Sequence, residues 1–184
     1  MKIITISREF GSGGRELGKR LAEELGIHCY DHEIIELIAK EHGFDERYVA
    51  NISEKCIEAA YPTTIGHRFA MPPVQIMDQG FQVAAAQQQI IENFAKQGDC
   101  VIVGRCGDYV LRDRKDVLRI FVYAPKEWRL AYGKENNMLQ AKDEKGIKDE
   151  IDKTDRNRAA YYNYYTQNRW GDAHNYDLAI NAAL

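Results

Sequence analysis

The sequence predicts an α/β fold on a parallel sheet, and three observations carry that expectation. Apolar runs rich in β-branched residues, "KIITIS" at 2–7, "CVIVG" at 100–104 and "VLRIFVYA" at 117–124, largely lack the polar alternation of a half-solvated strand and read as strands buried on both faces. Between them, apolar residues recur at helical spacing. The first strand also passes through the glycine-rich turn "EFGSGG" directly into such a helix, as the strand of a βα unit does.

Taken in order, the strand at 2–7 is followed by a helix whose apolar stripe is Leu17, Leu21, Ala22 and Leu25, with Gly26 as its stop. "IHCYD" (27–31) reads as a short second strand and "EIIELIAKEHG" (33–43) as a helix ending at Gly43. Residues 44–80 hold three of the four prolines, Pro62, Pro72 and Pro73, with mixed polarity, so short helices and loops are expected there. A helix follows from Gly80 ("FQVAAAQQQIIENFAKQG"), then the strands at 100–104 and 117–124. A long, charged, tyrosine-rich helical stretch is expected around 128–165, and "YDLAINA" (176–182) as a final strand. No repeat, low-complexity tract or linker divides the chain, so residues 1–184 are read as one domain. At 45% hydrophobic and 29% charged it can build a full core without disulfide or metal staples.

Composition also narrows the partners. A net charge of -3 speaks against a surface that neutralises long nucleic acid. Cys29, Cys56, Cys100 and Cys106 show neither CxxC nor zinc spacing and read as reduced, buried thiols, which fits a cytoplasmic protein. No run approaches the roughly 20 apolar residues of a membrane span, and the N-terminal apolar run is too short for a signal peptide. The tyrosines at 161, 162, 164 and 165 fit core packing, or an interface of a homo-oligomer, better than base stacking; Trp170 and Tyr176 fit packing around the last strand. His28 belongs to a strand, so it forms no helical metal pair with His32, and no metal ligands are assigned.

Chemistry concentrates at the glycine turn. The standard phosphate loop, G-x-x-x-x-G-K-[ST], lets backbone N–H groups converge on phosphate, adds a lysine, and sets a helix N-terminus behind the anion. Gly13 to Lys19 matches formally but buries Lys19 a turn inside a helix that Leu17 has already joined, so that register is rejected. Counting from the strand's end puts Arg8 at the first-glycine position, Gly11 and Gly13 inside the loop, Gly14 where lysine is expected, and Arg15 next. The glycines fit; the lysine is absent. Elsewhere, "VGRCGD" (103–108) leaves Arg105 at the rim of a buried strand, and "DKTDRNR" (152–158) carries Arg156 and Arg158, which cannot share one helical face.

The blocks "ITISREFGSGGRELGKRLAEELG", "YDHEII", "VIVGRCGDYVL", "RIFVYAPKEWR" and "DKTDRNRAAYYNYYTQNRWGDAHNYDLAIN" together resemble the cytidylate kinase-like proteins, relatives of bacterial cytidylate kinase among the P-loop nucleoside monophosphate kinases. The resemblance covers most of the chain except residues 44–80. It implies a P-loop NTP hydrolase-type three-layer fold with a five-stranded parallel sheet. It also implies a monophosphate-binding insert at about 44–80, a helical lid at about 129–158, and phosphoryl transfer from ATP with Mg²⁺ to a small nucleotide acceptor. By the same resemblance, Gly11, Ser12, Gly13 and Gly14 surround the donor β-phosphate, and Arg15 and Arg8 are candidates for the displaced charge. Arg129 opens the lid at the ATP, Asp31 and Arg105 meet the acceptor, and Arg156 and Arg158, with Arg15, neutralise the transferring phosphoryl group.

Each assignment has a plainer alternative: Arg15 solvated, Arg8 paired to Glu9 or Glu16, Asp31 capping the next helix, Arg105 paired to Asp108 or Asp99, Arg156 or Arg158 to Asp155 or Asp152. Two other functional classes stay open. A nucleotide-binding sensor without catalysis accords with Gly14 in the lysine position and with Glu16 where a hydroxyl often stands. A structural protein would need four arginines at one cleft rim by chance.

Overall fold

A computed structural model describes residues 2–55 and 74–184. Five strands, β1 (Ile3–Arg8), β2 (His28–Tyr30), β3 (Cys100–Val103), β4 (Val117–Tyr123) and β5 (Leu178–Asn181), form one sheet in the order β2-β3-β1-β4-β5. Every pairing is parallel, with Ile3 opposite both Cys100 and Val117. The helices are α1 (Gly14–Leu25), α2 (Glu33–His42), α3 (Glu46–Lys55), α4 (Val74–Gln97), the single turn α5 (Gly107–Val110), α6 (Lys126–Glu135) and α7 (Glu144–Thr166). All five strands stand where the apolar runs place them.

Strand alternation sends Ile3 to one face and Ile4 and Ile6 to the other. On the first face Ile3, Cys100 and Ile102 pack with Ile34, Ile38, Val83, Ile90 and Ile91 from α2 and α4. On the second, Ile4, Ile6, Val101, Val103, Ile120 and Val122 meet Ala22 of α1. The result is the expected three-layer sandwich, helix on sheet on helix. Because β1 sits in the centre while α1 and the later helices leave to opposite sides, the carboxyl ends of β1 and β3 part into a crevice, where parallel sheets take ligands.

Several elements differ from expectation. The buried stripe of α1 is Gly14, Gly18 and Ala22, whereas Leu17 and Leu21 flank it and Leu25 is 50% exposed. Small residues at i, i+4 and i+8 let the helix backbone approach the sheet, and the leucines seal its sides. Helix α4 begins at Val74, ahead of Gly80. The stretch expected to be one helix over 128–165 is two. Asn137 turns left-handed (φ 52°), the Met138 N–H closes onto the Gly133 carbonyl (2.9 Å), and Asp143 caps α7 by accepting from the Gly146 N–H. Helix α2 starts after His32 with no side-chain cap, so Asp31 is not the cap it could have been. Of the segment expected as an insert, α3 and the start of α4 are described, whereas Cys56, Pro62, Pro72 and Pro73 lie outside the described residues. No described helix is long and apolar enough to cross a membrane.

The close approach of α1 has a measurable cost attached. A Cβ at Gly18 would stand 2.9 Å from Val103 Cγ2 and 3.2 Å from Ile6 Cδ1. Gly18→Val is therefore expected to destabilise the fold by about 2 kcal/mol, within the usual overpacking range; a urea midpoint equal to wild type would contradict this packing.

Candidate functional site

The turn after β1 is held in shape from below. Ser12 is fully buried, its hydroxyl donating to the carbonyls of Glu9 (2.9 Å) and Val122 (3.1 Å) and its N–H to Glu9 O (3.3 Å). Gly11 (φ 72°) and Gly13 (φ 75°) take the left-handed conformations that let the chain double back. Helix α1 then opens at Gly14, and the Leu17 N–H is the one that closes on the Gly13 carbonyl (2.9 Å). The N–H groups of Gly14, Arg15 and Glu16 consequently form the open, electropositive end of the helix. The Ser12 N–H, expected among the phosphate donors, is turned to Glu9 instead.

Behind the turn lies a buried ionic clasp. The Phe10 N–H donates to Asp155 Oδ1 (2.7 Å), and Arg129 Nη1 donates both to Asp155 Oδ2 and to the Phe10 carbonyl (3.2 Å). Arg129 Nε approaches Glu9 Oε2 at 3.5 Å, and that carboxylate also accepts from the Ala124 N–H (3.2 Å). Burial pushes the Glu9 pKa up, against the lowering pull of the Ala124 N–H and Arg129. Arg129 is only 7% exposed and does not line the cavity, so its place differs from the nucleotide-contacting one implied by resemblance: it ties α6 to α7 and to the loop.

The Arg8 side chain lies over the position where the lysine is expected. The standard motif has glycine first and lysine seventh; this chain has arginine first and glycine seventh. A Cβ at Gly14 would lie 2.6 Å from Arg8 Cβ and 3.1 Å from Cγ, so the Arg8 stem occupies the space over the lysine position. The guanidinium lies against Gly104 (φ 75°), where any Cβ would overlap Nη1, with Cζ 3.0 Å away. Relative to the standard motif, glycine and the basic residue stand in exchanged positions, and the cation beside the lysine position comes from the end of β1.

A cavity of about 430 Å³ opens beside this arginine. Gly11 to Arg15 line it together with Tyr132, Asn136 and Met138 and with Asp31, His32, Ile35, Ala50 and Arg105. Arg8, Arg15, Lys19, Arg105 and Arg158 face it, against Glu9, Glu16 and Asp31. Five permanent cations against three carboxylates favour an anionic occupant. Arg15 is ion-paired to Asp31, so a candidate for the donor phosphates meets a candidate for the acceptor. Arg158 Nη1 donates to the Arg8 carbonyl (3.2 Å), and its guanidinium lies 5.6 Å from the Phe10 ring centroid. Arg156, two residues away on the same helix, is exposed and does not line the cavity.

Arg105 owes its place to backbone strain. Gly104, Arg105 and Cys106 are consecutive left-handed residues (φ 75°, 57° and 54°), a conformation that costs about 1–3 kcal/mol for a non-glycine residue. It is held by the Gly104 N–H bonding to Ile6 O (2.8 Å) and by buried Gln87, whose Nε2 donates to the Arg105 carbonyl (2.9 Å) and the Tyr161 hydroxyl (3.3 Å). Sequence reading missed Gln87. The signal was present: a polar residue inside the apolar stripe Val83, Ala86, Ile90, Phe94 of α4. Asp99, an alternative partner for Arg105, accepts from the Lys2 N–H (2.8 Å). Glu16 pairs with Arg20, and Lys126 with Asp152.

The model of the cytidylate kinase-like family matches residues 3–183 of the chain. Among solved structures, an uncharacterized protein from Eubacterium ventriosum is similar at 27% identity and a TM-score of 0.70, over 98% of this chain and 88% of that one. Shikimate kinase from Bacteroides thetaiotaomicron (13% identity, TM-score 0.55, 98% and 86% covered) has the same fold. So has shikimate kinase from Acinetobacter baumannii, solved with shikimate (13%, TM-score 0.52, 98% and 83%). None of the curated proteins matches the chain.

The exchange of residues 8 and 14 can be tested without any ligand. Gly14→Lys alone is expected to lower the melting temperature, because its Cβ meets the Arg8 stem, and adding Arg8→Gly should restore most of the loss. Additive destabilisation in the double variant would show that the two side chains do not compete for one space.

Proposed function

The chain belongs to the cytidylate kinase-like family, and on that premise we propose that it transfers the terminal phosphoryl group of ATP to a nucleoside monophosphate or similar small acceptor. The observation that carries the reading is the Arg8–Gly14 exchange: a phosphate loop that had merely decayed would leave the lysine position empty, whereas here another cation's stem fills it. Donor phosphates take the N–H groups of Gly13, Gly14 and Arg15 at the α1 terminus, with Arg8 beside them. Arg15 leaves Asp31 for the same phosphates. Arg158, bonded to the Arg8 carbonyl, stands over the point of transfer and offsets charge as the phosphoryl group moves, while Arg105 and Asp31 hold the acceptor. No protein nucleophile is required, since transfer depends on positioning and charge. CMP is the acceptor suggested by kinship.

Mg²⁺ travels with ATP in such reactions, and the loop offers it little. Position 15 is arginine where the standard loop has a metal-binding hydroxyl, the Ser12 hydroxyl is committed to two carbonyls, and the described residues contain no group of three metal-ligating side chains. The described residues form no resident metal site of side chains alone. This same observation favours a second reading, a nucleotide-binding protein that performs no transfer.

A coupled assay of ADP release with ATP and Mg²⁺ across CMP, dCMP, UMP and AMP separates the two. Acceptor-dependent release is expected. ATP binding without release for any acceptor would establish the second reading. Within an active protein, Arg158→Ala should lower kcat by about 10²-fold or more while changing ATP affinity far less. Arg8→Ala should weaken ATP binding by about 1.5–3 kcal/mol, and Arg105→Ala should chiefly raise the acceptor KM. Equal effects of all three on ATP binding alone would remove the assignment of roles.

A further inference from the structure

Directly behind the arginines lies a buried carboxylate that none of the roles above uses. Asp108, in the first turn of α5, is 3% exposed. Its Oδ1 accepts from the Ser7 hydroxyl (3.2 Å) and its Oδ2 from the Tyr162 hydroxyl (2.6 Å). Burial pushes the Asp108 pKa up, against the lowering pull of the Tyr162 and Ser7 hydroxyls and of the backbone N–H groups of residues 108 and 109. The hydroxyl of Tyr162 is held protonated, its pKa driven far up by burial and by the adjacent carboxylate.

The three segments meeting at this carboxylate are the three that carry Arg8, Arg105 and Arg158. Ser7 immediately precedes Arg8, and strand alternation sends the two side chains to opposite faces, one to Asp108 and one over Gly14. Asp108 follows Arg105 by three residues. Tyr162 lies four residues beyond Arg158 on α7, on the same helix face. The β1–β3 ladder ends at the pair Ile6 and Val103, one residue short of Ser7 and Gly104, and α7 belongs to no sheet. Beyond the bond from the Gly104 N–H to the Ile6 carbonyl, the loop after β3 and the helix α7 meet Ser7 and Arg8 through side chains, with Asp108 among them. Asp108 lines neither the cavity at the glycine turn nor the smaller one of about 40 Å³ between the arginines and the tyrosines, and any effect it has on a bound substrate therefore passes through its neighbours.

We propose that Asp108, gripped by Ser7 and Tyr162, is a positioning residue for phosphoryl transfer that holds Arg8, Arg105 and Arg158 in mutual register. The inference rests on the kinase reading for its consequence, though not for its geometry. An apolar residue would fill the same space at lower cost, because a buried carboxylate must be compensated bond by bond. What the carboxylate adds is direction: its two oxygens fix two hydroxyls from different segments at once, and a methyl group could fix neither.

Tyr162→Phe keeps the ring and removes one bond; Ser7→Ala removes the other, and Asp108→Asn alters the hub. In an active enzyme Tyr162→Phe is expected to lower kcat by about 10- to 100-fold, the scale of a small misplacement of reacting groups, with the melting temperature nearly unchanged. In an Arg158→Ala background the same substitution should cost clearly less than in the wild type, since one of the three arginines it places, the one on its own helix, is gone. Equal losses in both backgrounds, or full kcat in Tyr162→Phe, overturn the proposal. A second readout needs no activity: the ¹⁵N-labelled Nε–H resonances of Arg8, Arg105 and Arg158, assigned by Arg→Lys variants, should shift or broaden in Tyr162→Phe and Ser7→Ala. Unchanged resonances overturn it. If the wild type releases no ADP with any acceptor, the kinase reading fails and these spectra alone decide the placement. Should Asp108→Asn not fold, the two milder variants carry the test.

Discussion

Arg8 lies stretched between two glycines, its stem over Gly14 and its guanidinium against Gly104, and the arrangement of the crevice follows from that contact. One glycine belongs to the start of α1 and the other to the end of β3, so a single side chain spans the gap where the sheet parts. A side chain at either position would displace it. Around it the structure commits strong interactions: a left-handed run at 104–106, a buried glutamine holding the Arg105 carbonyl, and an arginine from α7 on the Arg8 carbonyl. Such strain persists only where the surroundings over-determine it, and here they do so from three elements.

Much of the architecture was legible in the sequence because it is local. Three β-branched runs and two shorter segments mark the five strands, and Gly26 and Gly43 stop the helices they were expected to stop. What could not be read depends on contacts distant in sequence. The leucines of α1 look like its buried face, but the sheet accepts Gly14, Gly18 and Ala22, a preference that exists only once β3 and β1 lie beneath. The 128–165 stretch has no proline to mark its break; the break comes from Asn137 and a capping aspartate, both common enough on helix surfaces to pass unnoticed.

The candidate site was legible in the same uneven way. Its glycines and the end of β1 mark the crevice, and the Gly-Arg pair after β3 marks its far side. The number of arginines did not say which face the cavity. Arg158 does; Arg156, on another helical face, does not; Arg129 turns inward to the half-buried acids Asp155 and Glu9. An arginine's direction is set by the carboxylate or carbonyl within reach, and for Arg129 those are Asp155 and Phe10, far away along the chain.

The same clasp limits how the helical hairpin above the cavity can move. Arg129 anchors α6 and Asp155 anchors α7, and both are tied to one peptide group, that of Phe10. Helix α6 is thus pinned near its start and α7 at its middle, like tongs riveted partway along one arm. From those two points the hairpin runs out to the bend at 136–143, which brings Asn136 and Met138 to the cavity lining. Any swing of the hairpin over the crevice must therefore turn about the clasp or break it.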